Sequence, residues 1–495
     1  MSDPLSVIAD PKLEPRQKRA ALASLAEEGL PYPVIGKRAK ELFAAGILCD
    51  LNEGHAPYRP RYILPDYAIL LARGSNYLDL APPRDFYEAV NALLIAYEHV
   101  PSITGYPVYL GDVDRLLEPF VPTVSEAERR KLLKLFLTQV DRCLPDAFVH
   151  MDLGPEETVV GRDIIEISAE QKRAVPNISL RFSSATPQDF AELAASAALE
   201  VGKPYFVNHE ALSADVGSDY AVASCYNTLR RGGGSLTLVR LSLKKLAERS
   251  MGAAAFLERD LPDAVAALTE TINARARFVV EQSHFFEASF LSREGLVSLD
   301  KFTSMAGVFG LYEAVEKLSG GARLGESEEA NELGIAITAK ARELVKSVSG
   351  AYCAGYGGRI SFHAQSGIDS DVDTTPGVRI RYGREIGLAK QLPLEGKLHS
   401  FFDSGVSEIA VFDRTAASNP AGLVRIARGA MQSGIRVFSI IGADSDMIRV
   451  TGYLVKRSDV EKYRAGVNMR EGTVALGAES LVGGRVLERK AVSVE

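Results

Sequence analysis

Two stretches of the chain, 176–208 and 419–441, follow one pattern that restricts the fold more than any other feature. Asn177 to Phe182 is a short β-rich run, and Thr186–Pro187 then reads as an N-cap with proline at the first helical position. Asp189 stands in a capping-box-like place, and apolar spacing carries the helix through Phe190, Leu193, Ala194 and Ala197 to a stop at Gly202. Residues 204–208 form the next strand. Near the end, Asn419–Pro420 opens a helix carrying Leu423, Val424, Ile426, Ala427 and Met431; Gly434 closes it, and Arg436 to Ile441 is a strand. Strands joined through a helix lie parallel, with a right-handed crossover. Such units in one chain, with no repeat and no low-complexity linker, predict a closed α/β barrel, with an open doubly wound sheet as the runner-up. Residues 13–46 and 85–99 read as helices, and 145–163 and 366–387 as the longest loops. No strand is followed by a Rossmann or P-loop glycine pattern.

Composition narrows the partners. With 57 Lys+Arg against 64 Asp+Glu, the net charge is −7, and no basic run offers a nucleic-acid or polybasic membrane surface. No apolar stretch nears the roughly 20 residues of a bilayer span, and the first residues lack a signal-peptide core, so a cytoplasmic protein is expected. The four cysteines, Cys49, Cys143, Cys225 and Cys353, are far apart, which argues against a Cys-rich zinc site or an iron–sulfur cluster held by this chain.

Two segments carry chemistry. In 446–457 Gly452 interrupts a strand-like run of Val450, Tyr453, Leu454 and Val455; a lone glycine there ordinarily marks a bulge or a close backbone approach. In 222–243 Cys225 precedes Gly232, Gly233 and Gly234 and then a β-rich run, and alone it reads as a buried cysteine at a turn. Together they resemble the glycyl radical enzymes. Arg-Val-x-Gly-Tyr at 449–453 resembles their radical-bearing loop, and Cys225 with its Gly-rich turn resembles their thiyl finger loop. Residues 102–121, 176–190, 302–318 and 358–385, with the Thr375–Pro376–Gly377 turn, resemble other parts of the same barrel, so the likeness spans about 100 to 465. The nearest likeness is to the YjjI type, which is similar to anaerobic ribonucleotide reductase and related to the formate acetyltransferases.

The departures set the subtype. Anaerobic reductases carry paired zinc cysteines before the glycyl loop, and this chain has no cysteine after Cys353. Nor do the first 100 residues offer the extra length of a nucleotide-binding cone. Diol and choline-type lyases follow their cysteine with Val-Glu, where this chain has Tyr226 and Asn227; formate–acetyl lyases have two adjacent cysteines. The resemblance implies a ten-stranded α/β barrel with finger loops inside and helices outside. A helical region at 1–100 would pack on a barrel of 101–440, followed by a glycyl radical region of 441–495 that can leave the barrel for activation. It also implies a lyase or dehydratase type of reaction on a small polar molecule. No bound cofactor is expected. The partner would be a radical SAM activating enzyme that uses S-adenosylmethionine and an iron–sulfur cluster. A homodimer is compatible. The rival readings are a ribonucleotide reductase-like enzyme and a non-catalytic binding or radical-repair protein on the same barrel.

The residue types fit that chemistry. A radical on a glycine α-carbon needs a planar centre with no side chain to clash. A neutral thiol matches it for hydrogen-atom exchange, so the usual thiolate argument does not apply. Cys225 and Gly452 should therefore lie on adjoining loops within about 3–5 Å. Tyr226 and Asn227 are candidates for the pocket wall. His363 is either a solvated loop residue or a proton donor or substrate ligand at the barrel mouth. Asn177 and Arg181 share a strand face; Arg181 binds substrate or, preferably, pairs with a structural carboxylate. His209, with Glu210, follows a strand end and is a substrate-binding or helix-start residue. Cys353 is kept as a possible second thiol. Asp369, Asp371 and Asp373 start like a calcium loop, but Thr374 and Ile380 replace the required Gly and Glu, so calcium is rejected.

Overall fold

A computed structural model describes residues 3–49, 58–100, 109–144, 148–364, 371–450, 452–482 and 489–493. In chain order its strands are β1 (Leu48–Cys49), β2 (Tyr62–Leu64), β3 (Tyr109–Asp112), β4 (His150–Leu153), β5 (Asn177–Phe182), β6 (Tyr205–Asn208), β7 (Tyr220–Ala223), β8 (Asn227–Arg230), β9 (Gly233–Ser242), β10 (Phe302–Phe309), β11 (Ser361–Ala364), β12 (Glu408–Phe412), β13 (Val437–Gly442), β14 (Met447–Val450), β15 (Tyr453–Lys456) and β16 (Ala491–Val492). One sheet runs β16-β12-β13-β6-β5-β4-β3. Neighbours are parallel throughout except at β6/β13, where Val207 faces Val437 across an antiparallel junction. The second sheet has parallel β9, β10 and β11, with β1 and β2 antiparallel on β9. Hydrogen bonds among the described residues do not close the sheets into one barrel. An isolated parallel bridge, His363 to Ser404, brings β11 to the segment ahead of β12.

The βαβ units are as the sequence pattern requires. Between parallel β5 and β6 runs the helix Gln188–Val201, ended by Gly202 in the left-handed region at φ 68°. Its N-cap is Pro187, one residue later than expected, because the Thr186 hydroxyl turns back to the Ser183 N–H and the Pro155 carbonyl. Asn419 does cap Pro420–Gln432, its side chain accepting from the Gly422 N–H. The expected loop at 145–163 is corrected: β4 lies in it, and the helix Val159–Gln171 begins in it. The first 100 residues add two strands to their helices.

Helices cover the outer faces. One apolar core packs the seven-stranded sheet against Phe86–Glu98, Glu126–Cys143, Val159–Gln171, Gln188–Val201 and Pro420–Gln432. A second packs the other sheet against Leu261–Arg277, Leu311–Leu318 and Glu328–Ser347. Strand alternation then sends a different set inward. On β5, Ile178, Leu180 and Phe182 join the outer core, while Asn177, Ser179 and Arg181 hydrogen-bond on the inner side. The inner side also holds an apolar cluster of Tyr205, Val207, Tyr220, Val222, Tyr226 and Val437. Two hairpins, β7–β8 and β14–β15, form small sheets of their own.

Candidate active site

Cys225 sits at the tip of the β7–β8 hairpin, whose strands pair from Tyr220–Arg230 to Ala223–Asn227. The tip is tight: Cys225 has φ 59°, ψ 28°, and Tyr226 has φ 60°. Each non-glycine residue there costs roughly 1–2 kcal/mol. Such a tip persists only when its surroundings hold it, and they do so at the hairpin's base. Asp152 of β4 accepts the Val222 N–H at 2.8 Å, and Arg181 of β5 donates to the Tyr220 carbonyl at 2.7 Å. Arg181 also pairs with Asp112 at 2.5 Å and Asp152 at 3.7 Å; Arg231 pairs with Asp112, and Ser179 donates to Asp152. Tyr109 donates to Asp152 at 3.1 Å. Arg181 is thus a structural ion-pair residue of the finger hairpin.

Gly452 lies at the turn of the β14–β15 hairpin, between Val450 and Tyr453, which pair across it. A methyl group built on its α-carbon would stand 2.3 Å from the Cys225 α-carbon and 2.6 Å from its sulfur. The two turns therefore touch, and only glycine fits at 452. Phe148 packs on Tyr453, with ring centroids 4.6 Å apart.

The other residues singled out from the sequence divide. Asn227 accepts from His363 Nε2 at 2.8 Å. His363 is no solvated loop residue: it lies on β11, fully buried, with Nδ1 lacking a partner among the described residues. Burial, then the nearby Arg61 guanidinium, holds its pKa down to about 3, so it is a neutral imidazole at neutral pH and not a proton donor as an imidazolium. The Tyr226 carbonyl accepts the Gly405 N–H at 3.0 Å, and its ring meets Tyr205 edge-on at 5.3 Å. Asn177 donates to the Val149 carbonyl and accepts from Tyr205. His209 starts the helix His209–Val216 and meets the Tyr220 hydroxyl at 3.0 Å, at the base of the finger hairpin rather than its tip. Cys353 lies among Gly350, Ala351 and Thr303. Asp371 pairs with Arg240 at 2.6 Å, Asp369 is outside the described residues, and no metal-ligating cluster occurs among the described residues.

Sequence reasoning missed three groups. Asp112 and Asp152 lie on strands whose polar inner faces hide the β pattern. Tyr62 of β2 hydrogen-bonds with Asn227 and feels the Cys225 sulfur; burial pushes its hydroxyl up to about 12. Arg449 stands inside the quoted Arg-Val-x-Gly-Tyr motif, where its identity was the available signal, yet no role was read for it.

A barrel-like pair of sheets that presents a cysteine turn to a glycine turn is the arrangement of a radical enzyme. The chain belongs to the YjjI-like glycyl radical enzyme family, whose model matches residues 13–492. It is 42% identical to the Escherichia coli (strain K12) protein YjjI over 492 residues, covering 98% of this chain and 94% of that protein. A Haemophilus influenzae protein is 40% identical over 485 residues, covering 96% and 94%. Among solved structures, the anaerobic ribonucleotide reductase from Thermotoga maritima in complex with dATP and CTP aligns with a TM-score of 0.67 at 12% identity, covering 91% of this chain and 90% of that one. The B12-independent glycerol dehydratase from Clostridium butyricum gives 0.69 at 11%, covering 89% and 81%. These two show the shared fold. Among the described residues no helix is long and apolar enough to cross a membrane.

Proposed function

We propose that Gly452 stores the radical and Cys225 carries it to substrate. The observation behind this reading is the contact of the two turns, closer than any side chain at 452 would permit. The Gly452 α-carbon radical takes the hydrogen atom of the Cys225 thiol: the S–H bond breaks, a C–H bond forms and sulfur becomes a thiyl. The thiyl then removes a hydrogen atom from a carbon of a small polar molecule. The substrate radical eliminates a group or breaks a carbon–carbon bond, as in a dehydratase or lyase. The product radical recovers the hydrogen from the thiol, and the thiyl returns the radical to glycine. Proton and electron travel together, so no redox partner is consumed in the cycle.

The ten-stranded closed barrel is part of this proposal, its wall excluding water and oxygen from the radical. The wall near Cys225 holds the hydrogen-bonding groups Tyr62, Asn227 and neutral His363, with the buried Arg61 guanidinium beside Tyr62 and His363, which suits a small polar substrate. A separate radical SAM activating enzyme installs the radical, which requires the 441–495 region to move. A reductase-like activity is less well supported, because no cysteine follows Cys353 to form the paired thiols of that type; tight binding of a nucleoside triphosphate would revive it.

The test is anaerobic activation followed by exposure to air. Oxygen attacks an α-carbon radical and cuts the backbone there, so activated protein should lose a C-terminal fragment of roughly 5 kDa, at about 110 Da per residue. Unactivated protein and Gly452→Ala should stay whole, while Cys225→Ala should still be cut. Cleavage of Gly452→Ala at the same bond would overturn the assignment.

A further inference from the structure

Arg449 is three residues ahead of Gly452 and only 1% exposed. One guanidinium nitrogen donates to the Gly202 carbonyl. Another reaches the Tyr226 hydroxyl at 3.4 Å, one residue beyond Cys225. The guanidinium lies over the Tyr205 ring, 4.0 Å from its centroid. Among the described residues no carboxylate pairs with it, and its Nε has no partner. A buried cation without a counter-charge is costly, so its retention calls for a reason beyond stability.

Its seat is shaped for it from a second direction. Gly202 ends the helix Gln188–Val201, where unsatisfied carbonyls carry partial negative charge. A Cβ on Gly202 would come to 3.0 Å from Leu454, the residue that pairs with Arg449 across the hairpin. Gly202 thus receives both strands of the glycyl hairpin: its carbonyl takes Arg449, and its missing side chain makes room for Leu454.

We infer that Arg449 is the positioning residue that clasps the glycyl hairpin to the barrel and to the finger tip, setting the Gly452–Cys225 contact across which the hydrogen atom moves. This rests on the reading that Gly452 stores the radical. Hydrogen-atom transfer falls steeply with separation, so a guanidinium fixed to Gly202 on one side and Tyr226 on the other controls its rate. Because every partner is neutral, the clasp opens without separating an ion pair, and the same residue lets the hairpin leave for activation. Tyr226 is then a positioning residue, the finger's half of the clasp, rather than an acid or base.

The test uses full-length protein activated anaerobically and transferred to D₂O. The thiol of Cys225 takes up deuterium from solvent, and each exchange with Gly452 can leave deuterium on the α-carbon. The doublet that the single α-hydrogen gives in electron paramagnetic resonance then collapses to one line, at a rate that reports Gly452–Cys225 transfer. Arg449→Met should keep a glycine-centred radical but exchange at least tenfold more slowly. Arg449→Lys should recover part of the rate, and Tyr226→Phe, which keeps the ring and removes the hydroxyl, should slow it two- to threefold. Arg449→Met collapsing at the wild-type rate would overturn the clasp, as would Arg449→Lys no faster than Arg449→Met. If neither Arg449 variant folds, Tyr226→Phe decides alone: unchanged exchange overturns the clasp. Wild-type protein with no glycine-centred signal would instead overturn the stored-radical reading beneath it.

Discussion

The two hairpins that meet at Cys225 and Gly452 are held in opposite ways. The finger hairpin is tied at its base to a buried network of Asp112, Asp152, Arg181 and Arg231, and its tip holds two consecutive residues in the left-handed region. The glycyl hairpin has one buried cation, Arg449, whose partners are a carbonyl and two tyrosines. Removing one member of an ion-pair network leaves a charge stranded, whereas releasing Arg449 strands none. On the proposed function the difference amounts to a division of labour: a fixed thiol and a glycine that can depart.

The contrast is broken most severely at the two contact residues. Cys225→Ala and Gly452→Ala should each reduce turnover to background, but differently. Gly452→Ala should take up no radical, since its methyl group would overlap the Cys225 backbone, while Cys225→Ala should keep a stable one. Equal radical content in both variants would end the comparison.

The next effect is on stability. Arg181→Met should lower the unfolding free energy by about 3–5 kcal/mol in urea titrations, because buried Asp152 loses its guanidinium partner and Asp112 keeps only Arg231. Arg449→Met should lower it by about 1 kcal/mol or less, since no carboxylate is abandoned. Similar losses would mean that the hairpins are held alike.

A smaller effect distinguishes the finger's side by pH. The His363 pKa is depressed to about 3, first by burial and then by Arg61, from the ordinary histidine value of 6.5. The unfolded chain therefore binds a proton that the folded chain refuses, and the stability present above pH 6.5 falls as pH drops toward 3. Between pH 7 and 5, His363→Gln should lose roughly 2 kcal/mol less stability than the wild type. Turnover of the eventual substrate should show no step from His363 between pH 5 and 8. An unchanged acid-side slope in the variant would show that His363 is solvated.

The smallest expected effect is dynamic. In hydrogen exchange of unactivated protein, peptides from 447–456 should exchange at least roughly tenfold faster than those from 220–230, about 1.4 kcal/mol in opening free energy. Equal protection would place the glycyl hairpin among the fixed elements.

The parts of this arrangement are unevenly legible in the sequence. The helices, the βαβ units around Gly202 and Asn419, and the two turns can be read from capping residues, periodicity and family likeness. Strand β4, His-Met-Asp-Leu, reads as loop, because four residues are too few for their alternation to stand out: His150 and Asp152 serve the inner network while Met151 and Leu153 face the helices. His363 reads as a loop residue for a related reason, its strand being four residues long and running into a polar stretch. The role of Arg449 depends on Gly202 and Tyr226, both more than 200 positions away, and no local spacing encodes such a contact.

The central claim, a radical held on Gly452 and passed to Cys225, is tested most directly by electron paramagnetic resonance on anaerobically activated protein made with α-deuterated glycine. The account predicts a doublet in unlabelled protein that becomes a single line with the label, persists in Cys225→Ala and is absent from Gly452→Ala. A signal that ignores the glycine label, or survives in Gly452→Ala, would contradict it.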